Sequence, residues 1–135
     1  MKAITLTFAG ALLFGAGIAT GQLAQTSTDS PQRVEQKRTD LTGAPGMEVI
    51  ASVAEYKPGS FVRRHSHHGV EIAYVVQGAA IRVPDQPGGT FQTGTTLMNL
   101  RDIEHAGFYV VGDTSLKLFT VHVVDKGKPL YEYVK

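Results

Sequence analysis

The chain has 135 residues, enough for one domain with one core, and it contains no cysteine, which excludes a disulfide framework, thiolate metal sites and a cysteine nucleophile. Thirteen Lys and Arg against twelve Asp and Glu leave a formal net charge of +1; there is no basic stripe, so nucleic acid is not an expected partner. Residues 1–21 read as a signal peptide. Lys2 supplies a short positive region, residues 3–19 are apolar, and Ala19-Thr20-Gly21 offers small residues for cleavage before Gln22. The alternative is a retained anchor helix, but Gly10, Gly15 and Gly17 interrupt the run and make it marginal for spanning a bilayer. The expectation is an exported protein, periplasmic or secreted, with no stable membrane span after cleavage.

Residues 22–44 are polar and of mixed charge. They read as a linker or arm, with at most a short helical turn or an edge strand near 34–41. From Met47 onward β signals dominate, and residues 45–135 are the expected folded domain. Residues 47–54 alternate and end at the turn Lys57-Pro58-Gly59; residues 61–67 and 71–76 follow, rich in β-branched and aromatic side chains. Gly78 marks a break, residues 80–83 end at Pro84, and Asp85-Gln86-Pro87-Gly88-Gly89 is a hairpin turn leading into residues 90–92. Residues 95–100, 105–111 and 116–124 are further strands, and residues 130–134 are a candidate terminal edge strand. Many short strands with Gly and Pro between them indicate an all-β sandwich or barrel.

Chemistry concentrates around residues 59–78. His65 and His67 are two apart, so in a strand both imidazoles face the same way. Glu71 follows four residues after His67, and a turn at His68-Gly69-Val70 is one way to bring it beside them. Neutral imidazole and carboxylate suit a divalent first-row metal. His68 has the opposite parity and reads as a loop residue. His122 shares a face with Leu118, Thr120 and Val124 and reads as a packed or surface histidine rather than a second metal ligand, with lining the cavity as the alternative. Arg63 shares parity with His65 and so is a candidate to steer an anion, while Arg64 should point outward.

Gly59, His65, His67, Glu71 and Gly78 resemble the first motif of the cupin superfamily: G, five residues, H-x-H, three or four residues, E, six residues, G. Gly94 and His105 have the spacing of the second motif, but Leu100, Asp102 and Tyr109 stand where that motif has proline, glycine and asparagine. The resemblance implies a double-stranded β-helix, or jelly-roll barrel, with His65, His67, Glu71 and His105 holding one divalent transition metal ion (Fe, Mn, Zn, Ni, Cu or Co) in its mouth. It also implies a small-molecule substrate or ligand and a possible homodimer. Cupins include dioxygenases, isomerases, lyases and non-catalytic proteins, and fold alone does not choose among them. A dioxygenase-like metalloenzyme is the first expectation, a metal-dependent isomerase or lyase the second, and a binding module the third. Glu104 and Tyr109 are the candidate catalytic side chains beyond the ligands.

Overall fold

The computed structural model describes residues 29–135; the signal-peptide reading and residues 22–28 lie outside them. The described residues form strands β1 (Arg33–Asp40), β2 (Met47–Tyr56), β3 (Phe61–Val62), β4 (His65–Ser66), β5 (Gly69–Gln77), β6 (Ala79–Arg82), β7 (Gly89–Phe91), β8 (Thr96–Asn99), β9 (Phe108–Val111), β10 (Leu116–Asp125) and β11 (Glu132–Tyr133). A five-stranded sheet runs β1-β2-β10-β5-β8, a four-stranded sheet runs β3-β9-β6-β7, and β11 pairs with β4. Every pairing is antiparallel.

Of the readings offered for the arm, the edge strand is the one found: residues 33–40 pair along β2 from Arg33↔Ala54 to Asp40↔Glu48. Arg33 is buried, and its guanidinium is bonded to Ser52 Oγ at 2.6 Å and paired with Asp29.

Alternation decides which face each strand buries. Glu48, Ile50, Ser52, Ala54 and Tyr56 of β2 point inward, as do Gly69, Glu71, Ala73 and Val75 of β5. Two apolar clusters form inside. Ala54, Tyr56, Val62, Val75, Ala79, Phe108, Val110 and Leu116 make the larger, and Ile50, Val124, Leu130 and Tyr131 the smaller. Along β10, Thr120 and His122 lie between Leu116 of the first cluster and Val124 of the second, so a buried polar layer separates them.

The glycines of the first motif have separate physical reasons. Gly59 sits at φ +87°, a turn conformation that L side chains rarely adopt. At Gly78 a Cβ would lie 2.2 Å from the Phe91 carbonyl oxygen. Gly69 is tighter: a Cβ there would stand 2.1 Å from the Val123 carbonyl oxygen and 2.5 Å from Val124 Cα. Backbone cannot yield as a side-chain tip does, so Gly69→Ala should cost about 3 kcal/mol or more. A urea midpoint close to wild type would contradict that packing.

Candidate metal centre

The sequence suggests a turn before Glu71. The chain only bends at His68, and the inward parity continues unbroken through His65, His67, Gly69 and Glu71. His105 joins them through the backbone: His65 and His105 form an isolated antiparallel bridge, His65 N donating to His105 O at 3.1 Å and His105 N to His65 O at 2.8 Å. The second-motif loop closes on the first when Asp102 N donates to the His67 carbonyl at 2.9 Å. Asp102 takes φ +59°, the left-handed region glycine would otherwise fill, and Ala106 beside His105 takes φ +64°. A left-handed alanine costs on the order of 1 kcal/mol, the kind of strain that persists at functional sites.

Three imidazoles are fixed by their outer nitrogens. His65 Nδ1 lies 2.7 Å from the Arg63 carbonyl oxygen, His67 Nδ1 is bonded to the Leu130 carbonyl oxygen, and His105 Nδ1 lies 3.1 Å from the Ile103 carbonyl oxygen. A nitrogen facing a carbonyl oxygen must carry the proton, so each Nε2 keeps its lone pair. The lone pairs of His67 and His105 face Glu71, and His65 joins them in a separate group of three imidazoles. His67 Nε2 is 3.4 Å and His105 Nε2 3.3 Å from Glu71 Oε2, while His122 Nε2 is 3.4 Å from Oε1. Asn99 Nδ2 donates to Oε2 at 2.7 Å. The sheet register produces this grouping, because Glu71 stands directly opposite His122 on one side and Asn99 on the other.

His122 is therefore not an ordinary packed histidine. It is wholly buried, and both its ring nitrogens lack a hydrogen-bond partner. The Nε2 atoms of His67 and His105 are likewise buried and unsatisfied. Such atoms are costly unless something meets them, and neutral imidazole nitrogens around a carboxylate are the donor set of a divalent transition metal. Two overlapping groups have donors within 4.8 Å of one another: His65, His67 and His105, and His67, Glu71 and His122. The residues present thus fit a metal ion.

Tyr131 closes one wall, its ring 4.6 Å from that of His65 and 5.0 Å from that of His67. Burial pushes its phenol well above the usual range, so it stays protonated. The other candidates lie elsewhere. His68 stands at the surface, 3.1 Å from Asp102. Glu104 is exposed and pairs with Arg64 at 2.9 Å. Tyr109 packs against Phe61 and under Arg82. Phe108 belongs to the larger apolar cluster, and Tyr74 is exposed on the outer face.

Burial and then the nearby His105 and His67 lower the pKa of His65 from 6.5 to about 4, against the pull of its bond to the Arg63 carbonyl. Burial lowers that of His122 too. For Glu71, burial works to raise the pKa, but in the metal-free protein hydrogen bonds from His105, His122 and His67, once their Nε2 atoms carry a proton, outweigh it and hold the carboxyl well below its usual range. In the metal-free protein the unfolded chain takes up a proton at His65 near pH 6.5, before the folded one does. Folding stability should then fall between about pH 6.5 and pH 4, by about 3 kcal/mol for His65 alone. Glu71 adds to the loss at the acid end, since its stabilisation is present above pH 4.5 and fades as pH falls. Urea titrations in chelator at pH 7, 5.5 and 4.5 measure this; a flat profile would contradict it.

No protein-family model matches the chain, and no curated protein does. Solved structures do. A Klebsiella pneumoniae protein with a double-stranded β-helix domain superposes with a TM-score of 0.56, over 82% of this chain and 90% of that one, at 14% identity. The fold is the double-stranded β-helix of the cupins. Looser superpositions include the polyketide cyclase RemF from Streptomyces resistomycificus (TM-score 0.49, 18% identity, 69% of this chain and 74% of that one). The DMSP lyase DddQ from Ruegeria pomeroyi is another (TM-score 0.48, 17% identity, 59% and 40%). At these identities the likeness to this cupin-fold chain is one of fold.

Proposed function

We propose that this cupin-fold protein binds one divalent transition metal ion through His65, His67, Glu71 and His105, with His122 against the same carboxylate, and acts as a metalloenzyme on a small organic molecule. The observation that carries the reading is the set of buried Nε2 atoms left without partners while Nδ1 of His65, His67 and His105 faces backbone carbonyls. Iron, manganese, zinc, nickel, copper and cobalt all accept this donor set. A bound ion would supply Lewis acidity and an open position for a small molecule, and iron, manganese or copper would add redox chemistry with oxygen.

The chain's own residues have definite tasks. The carbonyls of Arg63, Leu130 and Ile103 hold the three rings in one tautomer. Asn99 holds Glu71 by Oε2. The Tyr131 ring and the smaller apolar cluster keep water from one side. His122, neutral and free at both nitrogens, is placed to take or give a proton beside Glu71. That last feature favours a second reading, a metal-dependent isomerase or lyase, in which His122 rather than the surface carboxylate Glu104 moves protons.

Elemental analysis of protein purified from its native compartment tests the first step. A preparation that takes up no transition metal, even on titration with each of the six ions, would end the proposal. Turnover of a panel of small organic molecules in an oxygen electrode separates the readings: oxygen uptake supports the dioxygenase-like one, anaerobic turnover the other. Export is part of the same proposal and is supported by the composition of residues 1–21; a mature N-terminus at Met1 would oppose it.

A further inference from the structure

Beside the metal centre lies a small cavity of about 110 Å³ that the reading above does not use. Tyr56, Phe61, Arg63, His65, Tyr131 and Tyr133 are among its walls. His65 belongs to both places: its ring is 4.4 Å from that of His105 and 4.6 Å from that of Tyr131. Tyr131 and Tyr133 are stacked, 18° from parallel with centroids 5.9 Å apart, and the Arg63 guanidinium sits 4.1 Å over the Tyr133 ring. Arg33, Arg38, Arg64 and Arg101 each pair with a carboxylate. Arg63 forms no ion pair among the described residues, and no Asp or Glu lines the cavity. The space is small beside the 300–1,000 Å³ of drug-sized pockets, and its chemistry is one fork-shaped cation among aromatic faces.

We propose that this cavity takes a small, flat organic monocarboxylate, with its carboxylate on the Arg63 guanidinium and its body against the tyrosine rings. A guanidinium binds a carboxylate with two parallel hydrogen bonds. Burial raises the Tyr56 phenol to about 12, so it carries no charge to repel the anion. The carbonyl of Arg63 holds His65, so the residue that receives the anion also sets a ring of the centre.

That the bound acid is a substrate rests on the metal reading; that the cavity binds it does not. Benzoate and its neutral isostere benzamide are the probes. Binding is followed by tyrosine near-ultraviolet difference spectra and calorimetry, on chelator-treated protein and on protein loaded with Co²⁺, whose content is assayed separately. Benzoate should bind at least tenfold more tightly than benzamide. Arg63→Gln, which alters only an exposed side chain, should erase that preference and leave benzamide unchanged; Arg63→Lys should restore part of it. Equal binding of the two probes, or an unaffected Arg63→Gln, overturns the proposal. Arg63-dependent benzoate binding in protein that takes up no metal would keep the cavity and remove the metal reading.

Discussion

His67→Ala should lower metal affinity about a thousandfold or more, while His68→Ala should change it by no more than a few-fold. Removing even an outer partner of a metal ligand costs 10–100-fold, and His67 belongs to both donor groups. Its side chain is fully buried, Nδ1 is tied to the Leu130 carbonyl, and Nε2 points unsatisfied at Glu71. His68 is its neighbour in sequence and its opposite in direction, with Asp102 at 3.1 Å and Glu132 at 3.6 Å on the protein surface. Both variants lose one imidazole, so net charge and composition are matched. Competition against a chromogenic chelator measures affinity. His67→Gln, which keeps most of the volume, controls for the void that alanine leaves. Equal metal content in the two alanine variants after mild chelation would sink the site. Binding in wild type should also weaken as pH drops through the histidine range, since the donors must be neutral.

The part of this centre that is legible in the sequence is the part that lies along one strand direction. His65 and His67 share a parity that needs no knowledge of partners; Glu71 and His105 follow from the motif spacing, and only the structure shows that Glu71 keeps the same parity through a bend rather than a turn. His122, Asn99 and Tyr131 enter through pairings between distant residues. Glu71 meets His122 and Asn99 only because β10 and β8 dock on β5 in one register, and a register shift of one residue would turn His122 outward. Parity could not be read for β2 or β10 either, because outward Val49, Val53, Phe119 and Val121 are as apolar as the residues opposite them. In the sequence the strand β1 is only an alternative to a linker or helical turn, for the converse reason. Its inward positions Arg33, Glu35 and Arg38 are charged, so no apolar stripe marks it, and what it buries is an ion-pair network.

That network sets the expected result for the arm. From composition alone, trimming the chain to residue 42 should leave the melting transition nearly unchanged. The structure gives the opposite expectation, a loss of about 3 kcal/mol or more, because the cut leaves a buried charge without its partner. Arg38 bonds Glu48 at 2.8 Å, and Glu48 is buried on β2. The guanidinium of Arg33 reaches Ser52, also fully buried, at 2.6 Å. Both acceptors would lose their cations, and β2 would become an open edge with its ladder groups unpaired. The Asp40–Lys126 pair at 2.6 Å is exposed at both ends and should contribute little. Cutting after residue 28 leaves β1 and these contacts in place, so that shorter trim separates the strand from the leader. Arg38→Met removes one cation while keeping the strand, and it should recover only part of the difference between the two truncations. Matching urea midpoints for the residue-28 and residue-42 cuts would show that β1 lies on the sheet without holding it together.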